Sequence, residues 1–147
     1  MEEQPRTLQS FSFGEAQFVV FADEVMAIAE WREPAALPHA PASVLGIVSI
    51  HGRMLTVLDL SQLLESPPRA DRPTHILALN GDEQLALAID DPGETFAIAA
   101  ANSEGTPASG KLISRVINRN GDEIKILDVR ELFPTAIQGR ERRRRRF

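Results

Sequence analysis

The residues Gly105-Thr106-Pro107-Ala108-Ser109-Gly110-Lys111-Leu112 satisfy the GxxxxGK half of a phosphate-binding loop, in which backbone N–H groups cradle phosphates and the lysine reaches the outer ones. The pattern fails at Leu112, where a Ser or Thr hydroxyl must reach magnesium. Its context fails too. ANSE leads in rather than a strong strand, and the β-branched, alternating KLISRVI that follows is strand-forming, so no helix dipole faces a phosphate. A plain surface loop is the simpler reading. His39, His51 and His75 offer imidazoles without HxxxH or HxxE spacing, so a metal would have to be gathered from separate elements; solvated or hydrogen-bonded histidines are simpler. Asp82-Glu83 and Asp122-Glu123 are carboxylate pairs of the kind that do general acid and base work, yet each follows an Asn-Gly turn and reads as a solvated hairpin end, and Asp90-Asp91 is a third pair. No Ser-His-Asp order accompanies a nucleophile elbow, and the absence of cysteine removes a thiol nucleophile, a thiolate zinc site and a disulfide framework. No residue is assigned as catalytic, cofactor-binding or metal-binding, no cofactor or small-molecule substrate is expected, and the chain reads as a non-enzyme.

The remaining reactive feature is charge. Residues 140–147, RERRRRRF, hold six arginines and one glutamate, which leaves ten basic against twenty acidic residues before them. The body is therefore −10 and the tail +5, within a total of −5. An acidic body argues against a broad nucleic-acid face. Only the tail, Arg142, Arg143, Arg144, Arg145 and Arg146, could contact an acidic partner, nucleic acid or an anionic membrane, and screening confines its reach to about 8 Å in physiological salt. Its bland reading is a solvated, disordered end resting on an acidic body.

The elements that position these side chains are short strands. Pro41 to Leu64, PASVLGIVSIHGRMLTVLDLSQLL, predicts a buried hairpin around Gly52 that closes in a helical turn after Asp59. Sixty-nine residues later VINRNGDEIKILDVRELF repeats it, with Gly52 on Gly121, Val57 on Ile126 and Leu58-Asp59 on Leu127-Asp128. A second correspondence, Gln17-Phe18 with Gln84-Leu85 and Asp23-Glu24 with Asp90-Asp91, has an offset of sixty-seven. A once-repeated set of short strands with regular turns implies two related small barrels or a sandwich of two matching sheets. Asp59 and Asp128 occupy one place in each repeat and predict helix N-caps, each worth roughly 0.5–2 kcal/mol.

In chain order, residues 1–10 read as a flexible N-terminus, and Phe11, Phe13, Phe18 and Val20 flank Gly14-Glu15 as a first hairpin. Val25, Ile28 and Ala29 sit at helix-like spacing in ADEVMAIAEW, read as a helical turn leading into a strand. Pro34, Pro38 and Pro41 force an extended loop, over which Trp31 is expected to pack. A linker is expected over about 65–74, then a hairpin around Asn80-Gly81, a turn at Asp91-Pro92-Gly93, a short strand TFAIA and a flexible loop ANSEGTPASG. A chain of this length buries roughly 68–70% of its unfolded surface, enough for one domain or two packed subdomains. The acidic, polar MEEQPRTLQS is unlike a secretory signal and no apolar run approaches the roughly 18 residues of a spanning helix, so a cytoplasmic location is expected.

The pattern PxxPxxxxGxxxxxGxxxxVxDL reads here as Pro38-His39-Ala40-Pro41, Gly46, Gly52 and Val57-Leu58-Asp59-Leu60, and it resembles the central signature of CheW-like domains, adaptors that couple chemoreceptors to the histidine kinase CheA. The resemblance runs from about Phe11 to Phe133, including QLALAID and ILDVRELF, and places a CheW-like domain over 11–139. It implies an all-β fold of two intertwined five-stranded SH3-like β-barrels with short helical turns. It also implies function by surface: a groove between the barrels for the hairpin tip of a chemoreceptor's cytoplasmic coiled coil, barrel-end docking with the kinase's regulatory domain, and clustering at membrane-bound receptor arrays. Matched residue by residue, the implied partner-binding positions are Val25, Ala27, Ile28, Leu45, Gly46, His51 and Gly52.

Two departures stand out. Ala27 replaces the Glu of the family's V-x-E-[VI] pattern and His51 the Arg of its R-G turn, so both charged members are missing together, and Pro92 stands where the family usually carries an apolar strand residue. If the two charges pair in other members, their joint loss avoids a stranded charge. His51→Arg alone should then lower the melting temperature or leave it unchanged, and a rise would count against the pairing. The alternative role is an accessory scaffold that has lost standard receptor or kinase binding and uses its arginine tail.

Overall fold

The computed structural model describes residues 6–66, 72–98, 106–107 and 111–136. Its strands are β1 (Arg6–Phe13), β2 (Ala16–Phe21), β3 (Val25–Glu30), β4 (Val44–Ile50), β5 (Arg53–Leu58), β6 (His75–Leu79), β7 (Leu85–Ile89), β8 (Pro92–Ile98), the two-residue β9 (Thr106–Pro107), β10 (Ile113–Arg119) and β11 (Asp122–Leu127). A short helix α1 (Leu60–Leu63) follows β5, a 3-10 turn (Val129–Glu131) follows β11, and residues 132–136 are helical.

Two sheets result. The first has the order β8-β1-β2-β11-β10-β9 and the second β3-β6-β7-β5-β4. Apart from β9, the orders superimpose when β1-β2 is matched with β6-β7, β8 with β3, and β10-β11 with β4-β5. The one parallel pair in each sheet, β2 with β11 and β7 with β5, also coincides. The repeat in the sequence is thus a repeat of structure, with its first hairpin exchanged: β1-β2 joins the barrel built mostly from the second half, and β6-β7 joins the barrel built from the first. The chain crosses between sheets at Ala22–Glu24 and at Asp90-Asp91, not in the expected 65–74 linker, which joins two elements of the second sheet and of which residues 67–71 lie outside the described residues.

Alternation distributes the apolar side chains into three cores. Val48, Ile50, Leu55, Val57, Ile76, Ala78, Ala86 and Ala88 fill the second barrel, with Ala27, Ala29, Trp31 and Leu45 at its margin. Leu8, Val19, Ile117, Ile124 and Ile126 fill the first, with Phe21, Phe96 and Ile98 beside them. The opposite strand faces meet between the barrels, where Phe11 stacks on Phe18 at 5.6 Å and Leu58, Leu60, Leu77, Leu87, Leu127 and Leu132 are buried. β7 is buried on both faces, which explains its continuous apolar run LALAI.

Several expectations are corrected. Residues 6–10 are not a frayed end: they begin β1, Leu8 is fully buried, and β8 pairs along them. Asn80-Gly81 does not close a two-residue hairpin, since residues 80–84 connect β6 to β7 with left-handed backbone at Gly81 and Gln84. Asn80 is committed elsewhere: its amide N donates to Glu24 O, and its Nδ2 to Asp23 O at 3.0 Å and Val25 O at 3.3 Å, clasping the crossover into β3. Pro92 opens β8 rather than ending a turn, the first residue of a strand being a position where a missing N–H is tolerated. Of the GxxxxGK segment, Thr106-Pro107 forms β9 and Lys111-Leu112 lead into a strand, while residues 105 and 108–110 lie outside the described residues, as do 101–104 and the arginine tail.

Candidate functional site

The seven candidate binding residues fall into three places. Val25 and Ile28 are half-buried on β3 and pack against the core between the barrels. They point the same way although three apart because a bulge between Val25 and Ala27 breaks the strict alternation, so one strand residue is skipped. That bulge is the physical source of the helix-like spacing in the sequence. Ala27, by contrast, faces the interior of the second barrel beside Ala29 and Met26.

Leu45 packs at the margin of the same barrel interior, and Gly46 next to it is buried with φ 147°. A methyl group at Gly46 would overlap the carbonyl of Ala35. The reason is a strap: the proline-rich loop returns across β4, with Ala35 N donating to Ile47 O and Ile47 N to Ala35 O, both at 2.9 Å. Pro34 and Pro41 preset that loop, and Gly46 lets it approach.

His51 and Gly52 form the exposed tip of the β4-β5 hairpin, with φ 51° and 78°. Positive φ at both central residues is the mirror-image turn that matches strand twist, which Asn120-Gly121 also uses at φ 55° and 86°. Next to the tip, Arg53 Nη2 donates to Gly81 O at 3.1 Å, and Met54 is exposed. Across the seam between β3 and β4, Arg32 Nη1 donates to Ser49 O at 2.9 Å. The structure thus joins Val25 and Ile28 at the barrel junction, and Leu45, Gly46, His51 and Gly52 on one hairpin, with Ala27 half-buried at the margin of the second barrel's core. Sequence reading missed Val44 and Val129, which border the inter-barrel core alongside Val25 and Ile28. Their signal was faint: Val44 opens the apolar run of the first hairpin and Val129 is a lone valine after Leu127-Asp128.

Both predicted caps are in place. Asp59 Oδ1 accepts from Ser61 N at 2.9 Å and Ser61 Oγ at 2.7 Å, starting α1. Asp128 Oδ1 accepts from Arg130 N at 3.1 Å, and the exposed Arg130 guanidinium folds back onto the same carboxylate. At the first crossover Glu24 Oε1 accepts from Phe21 N at 3.0 Å. Burial pushes the Glu24 carboxyl above its ordinary range, the Phe21 bond opposes this, and the neighbouring Asp23 adds to it. At the second crossover Asp90 Oδ2 accepts from Gly14 N at 2.7 Å, so each hairpin turn grips the opposite crossover.

The histidines stand on separate elements: His39 in the strap loop, His51 at the β4-β5 tip, and His75 at the start of β6, its Nδ1 near Asp90 O. What this arrangement offers is surface. Half-buried aliphatic residues at the junction of two barrels are a surface of the kind that an apolar helix face can dock on.

Comparison with known proteins agrees with this architecture. The chain is 25% identical over 137 residues to the chemotaxis protein CheW of Rhizobium meliloti, covering 88% of each. It is 32% identical over 72 residues to the probable chemotaxis protein CheW of Rhizobium etli, covering 49% of this chain and 46% of that protein. Among solved structures, the scaffolding protein TtCheW of Thermoanaerobacter tengcongensis superimposes with a TM-score of 0.77 over 88% of this chain and 93% of that one, at 18% identity. The CheW-like domain family matches residues 7–136, nearly the whole described body, and the chain belongs to that family.

Proposed function

We propose that the chain is a non-enzymatic cytoplasmic adaptor that couples chemoreceptors to a CheA-type histidine kinase in chemotaxis or a related chemosensory pathway. The observation that carries this reading is the family match across both barrels, 7–136, together with half-buried Val25 and Ile28 at their junction. In this reading the junction receives the receptor's cytoplasmic tip, and the end of one barrel docks with the kinase's regulatory domain. The activity is one of placement, which needs no cofactor. Among the described residues no helix is long and apolar enough to cross a membrane.

The test is titration of the purified chain with a receptor cytoplasmic fragment and, separately, with the kinase regulatory domain of the same host. Wild type should bind both, and Ile28→Arg should weaken receptor binding at least about tenfold while leaving the kinase unaffected. Failure of wild type to bind either would overturn the proposal. A second reading, an accessory scaffold that has kept only one partner, is favoured by Ala27 and His51 replacing both charges of the family pattern. Binding of one partner alone would select it.

A further inference from the structure

Two Asn-Gly pairs, Asn80-Gly81 and Asn120-Gly121, have no part in the adaptor role, and the dipeptide carries chemistry of its own. A glycine has no Cβ to shield its amide, so its nitrogen can approach the side-chain carbonyl of the asparagine before it. The fold holds the two pairs differently. Asn80 Nδ2 donates to Asp23 O at 3.0 Å and Val25 O at 3.3 Å, its N–H donates to Glu24 O at 2.8 Å, and Gly81 O accepts from Arg53 Nη2 at 3.1 Å. The Asn80 carboxamide cannot turn toward Gly81 without giving up both carbonyls. Asn120 and Gly121 are instead the exposed central residues of the β10-β11 turn, which is closed by the Arg119 and Asp122 pair. Among the described residues the Asn120 side chain makes no hydrogen bond, and Gly121, lying between the strands, donates its N–H to no backbone carbonyl.

We propose that Asn120 is a site of spontaneous deamidation, while the same dipeptide at Asn80-Gly81 is kept intact by the crossover clasp. The Gly121 nitrogen, its proton lost to solvent, forms a bond to Asn120 Cγ; the Cγ–Nδ2 bond breaks, ammonia leaves with a proton from solvent, and a five-membered imide closes. Water then opens the ring. Addition at Cγ restores the backbone and yields aspartate, whereas addition at the backbone carbonyl carbon breaks its bond to Gly121 and yields isoaspartate, whose main chain runs through the former side chain. Either way one water is consumed, one ammonia is released, and nothing is oxidised or reduced. The product gains a negative charge beside exposed Asp122 and Glu123, and isoaspartate adds a methylene to the backbone of the turn. Next to that turn, Arg119 pairs with Glu94 at 2.9 Å and lies 3.8 Å from the Phe96 ring centre, joining β10 to β8. Conversion of Asn120 therefore loosens the first barrel where these strands meet, as a slow covalent record of the protein's age.

The experiment is prolonged incubation of the full-length protein at mildly alkaline pH, folded and, in parallel, in concentrated guanidinium chloride. Proteolytic peptides are followed by mass spectrometry for the mass gain of an amide-to-acid exchange. In the folded protein the Asn120 peptide should convert at least about tenfold faster than the Asn80 peptide, where two side-chain bonds must first open. In denaturant the two rates should converge. An isoaspartyl methyltransferase with labelled S-adenosylmethionine should mark the aged wild type. Asn120→Gly, which suits the left-handed backbone there, should keep its fold and lose the label. The converted form, separated by anion exchange, should melt below the unconverted one. Asn120 left unchanged in the folded chain while the denatured sample converts, equal rates at the two sites in the folded chain, or undiminished labelling of Asn120→Gly would each overturn the proposal, and equal melting of the two forms would overturn the loosening of the barrel.

Discussion

The two barrels share one topology and close it by different means. In the second barrel the rim of β4 is covered by the backbone of Ala35, and the bulge that admits it falls between Val44 and Gly46. In the first, β9 covers the rim of β10, and the equivalent bulge falls between Ile113 and Arg115. Glycine is needed at one bulge, where φ is 147° and the strap lies against it, while arginine occupies the other. The seams differ likewise. Arg32 reaches a backbone carbonyl in the second barrel, at whose margin Trp31 packs with its Nε1 buried and unpartnered among the described residues. In the first, Arg119 of β10 pairs with Glu94 of β8 at 2.9 Å and lies 3.8 Å from the Phe96 ring centre. A fold can therefore be kept while backbone covers the equivalent rim in both barrels and the seam is sealed by a side chain-to-carbonyl bond in one and by stacked charge in the other.

The largest test of that contrast is at the bulges. Gly46→Val should expel the strap and cost about 3 kcal/mol in urea unfolding, whereas Arg115→Lys, at a bulge that already holds a long side chain, should cost less than about 0.5 kcal/mol. Equal effects would erase the distinction. The caps come next: Asp59→Ala should cost about 1–2 kcal/mol because buried Ser61 loses its acceptor, and Asp128→Ala about 0.5 kcal/mol, since its partner Arg130 is exposed and returns to water. At the seams, Arg119→Ala and Arg32→Ala should each cost about 0.5–1 kcal/mol. Thermal melts at low and high salt should separate them, because the Arg119–Glu94 ion pair is screened while the Arg32 bond to a carbonyl is not.

The smallest effect concerns the crossovers and depends on pH. Because the Glu24 carboxyl titrates above its ordinary 4.5, the folded state holds the proton more tightly than the unfolded chain. Its contribution to stability is complete below the unfolded value and is lost as pH rises through the folded one. Glu24→Gln keeps an acceptor for Phe21 N and removes this loss. It should be more stable than wild type at neutral pH by a few tenths of a kcal/mol, after allowance for solvent screening, with the advantage vanishing in acid. An advantage that persists below about pH 4 would show that the carboxylate's burial is not its cause.

Much of this was legible in the sequence, and what was not had local physical reasons. The repeat, the LD caps and the two mirror-image turns could be read because identical backbone demands selected matching residues at 52 and 121 and at 59 and 128. Residues 25–29 read as helix-like because a bulge converts a spacing of two into three. Asn80 read as a turn residue because its long-range role as a clasp leaves no periodic trace. Of the candidate site, the half-burial of Val25 and Ile28 depends on which barrel lies opposite, and Ala27 turns inward for the same reason.

The exchange of hairpins also sets a timetable for synthesis. The second barrel has all its strands once Ile89 has been made, but the first must wait for Leu127. From Phe21 to Leu127, at about 5–20 residues per second, the β1-β2 hairpin spends roughly 5–20 s without β11 beside it. Its Phe11–Phe18 face can pack on the second barrel once that is complete, but its Leu8–Val19 face has Ile117, Ile124 and Ile126 as partners and stays exposed on the nascent chain for the whole interval, a surface for a chaperone at the ribosome to shelter.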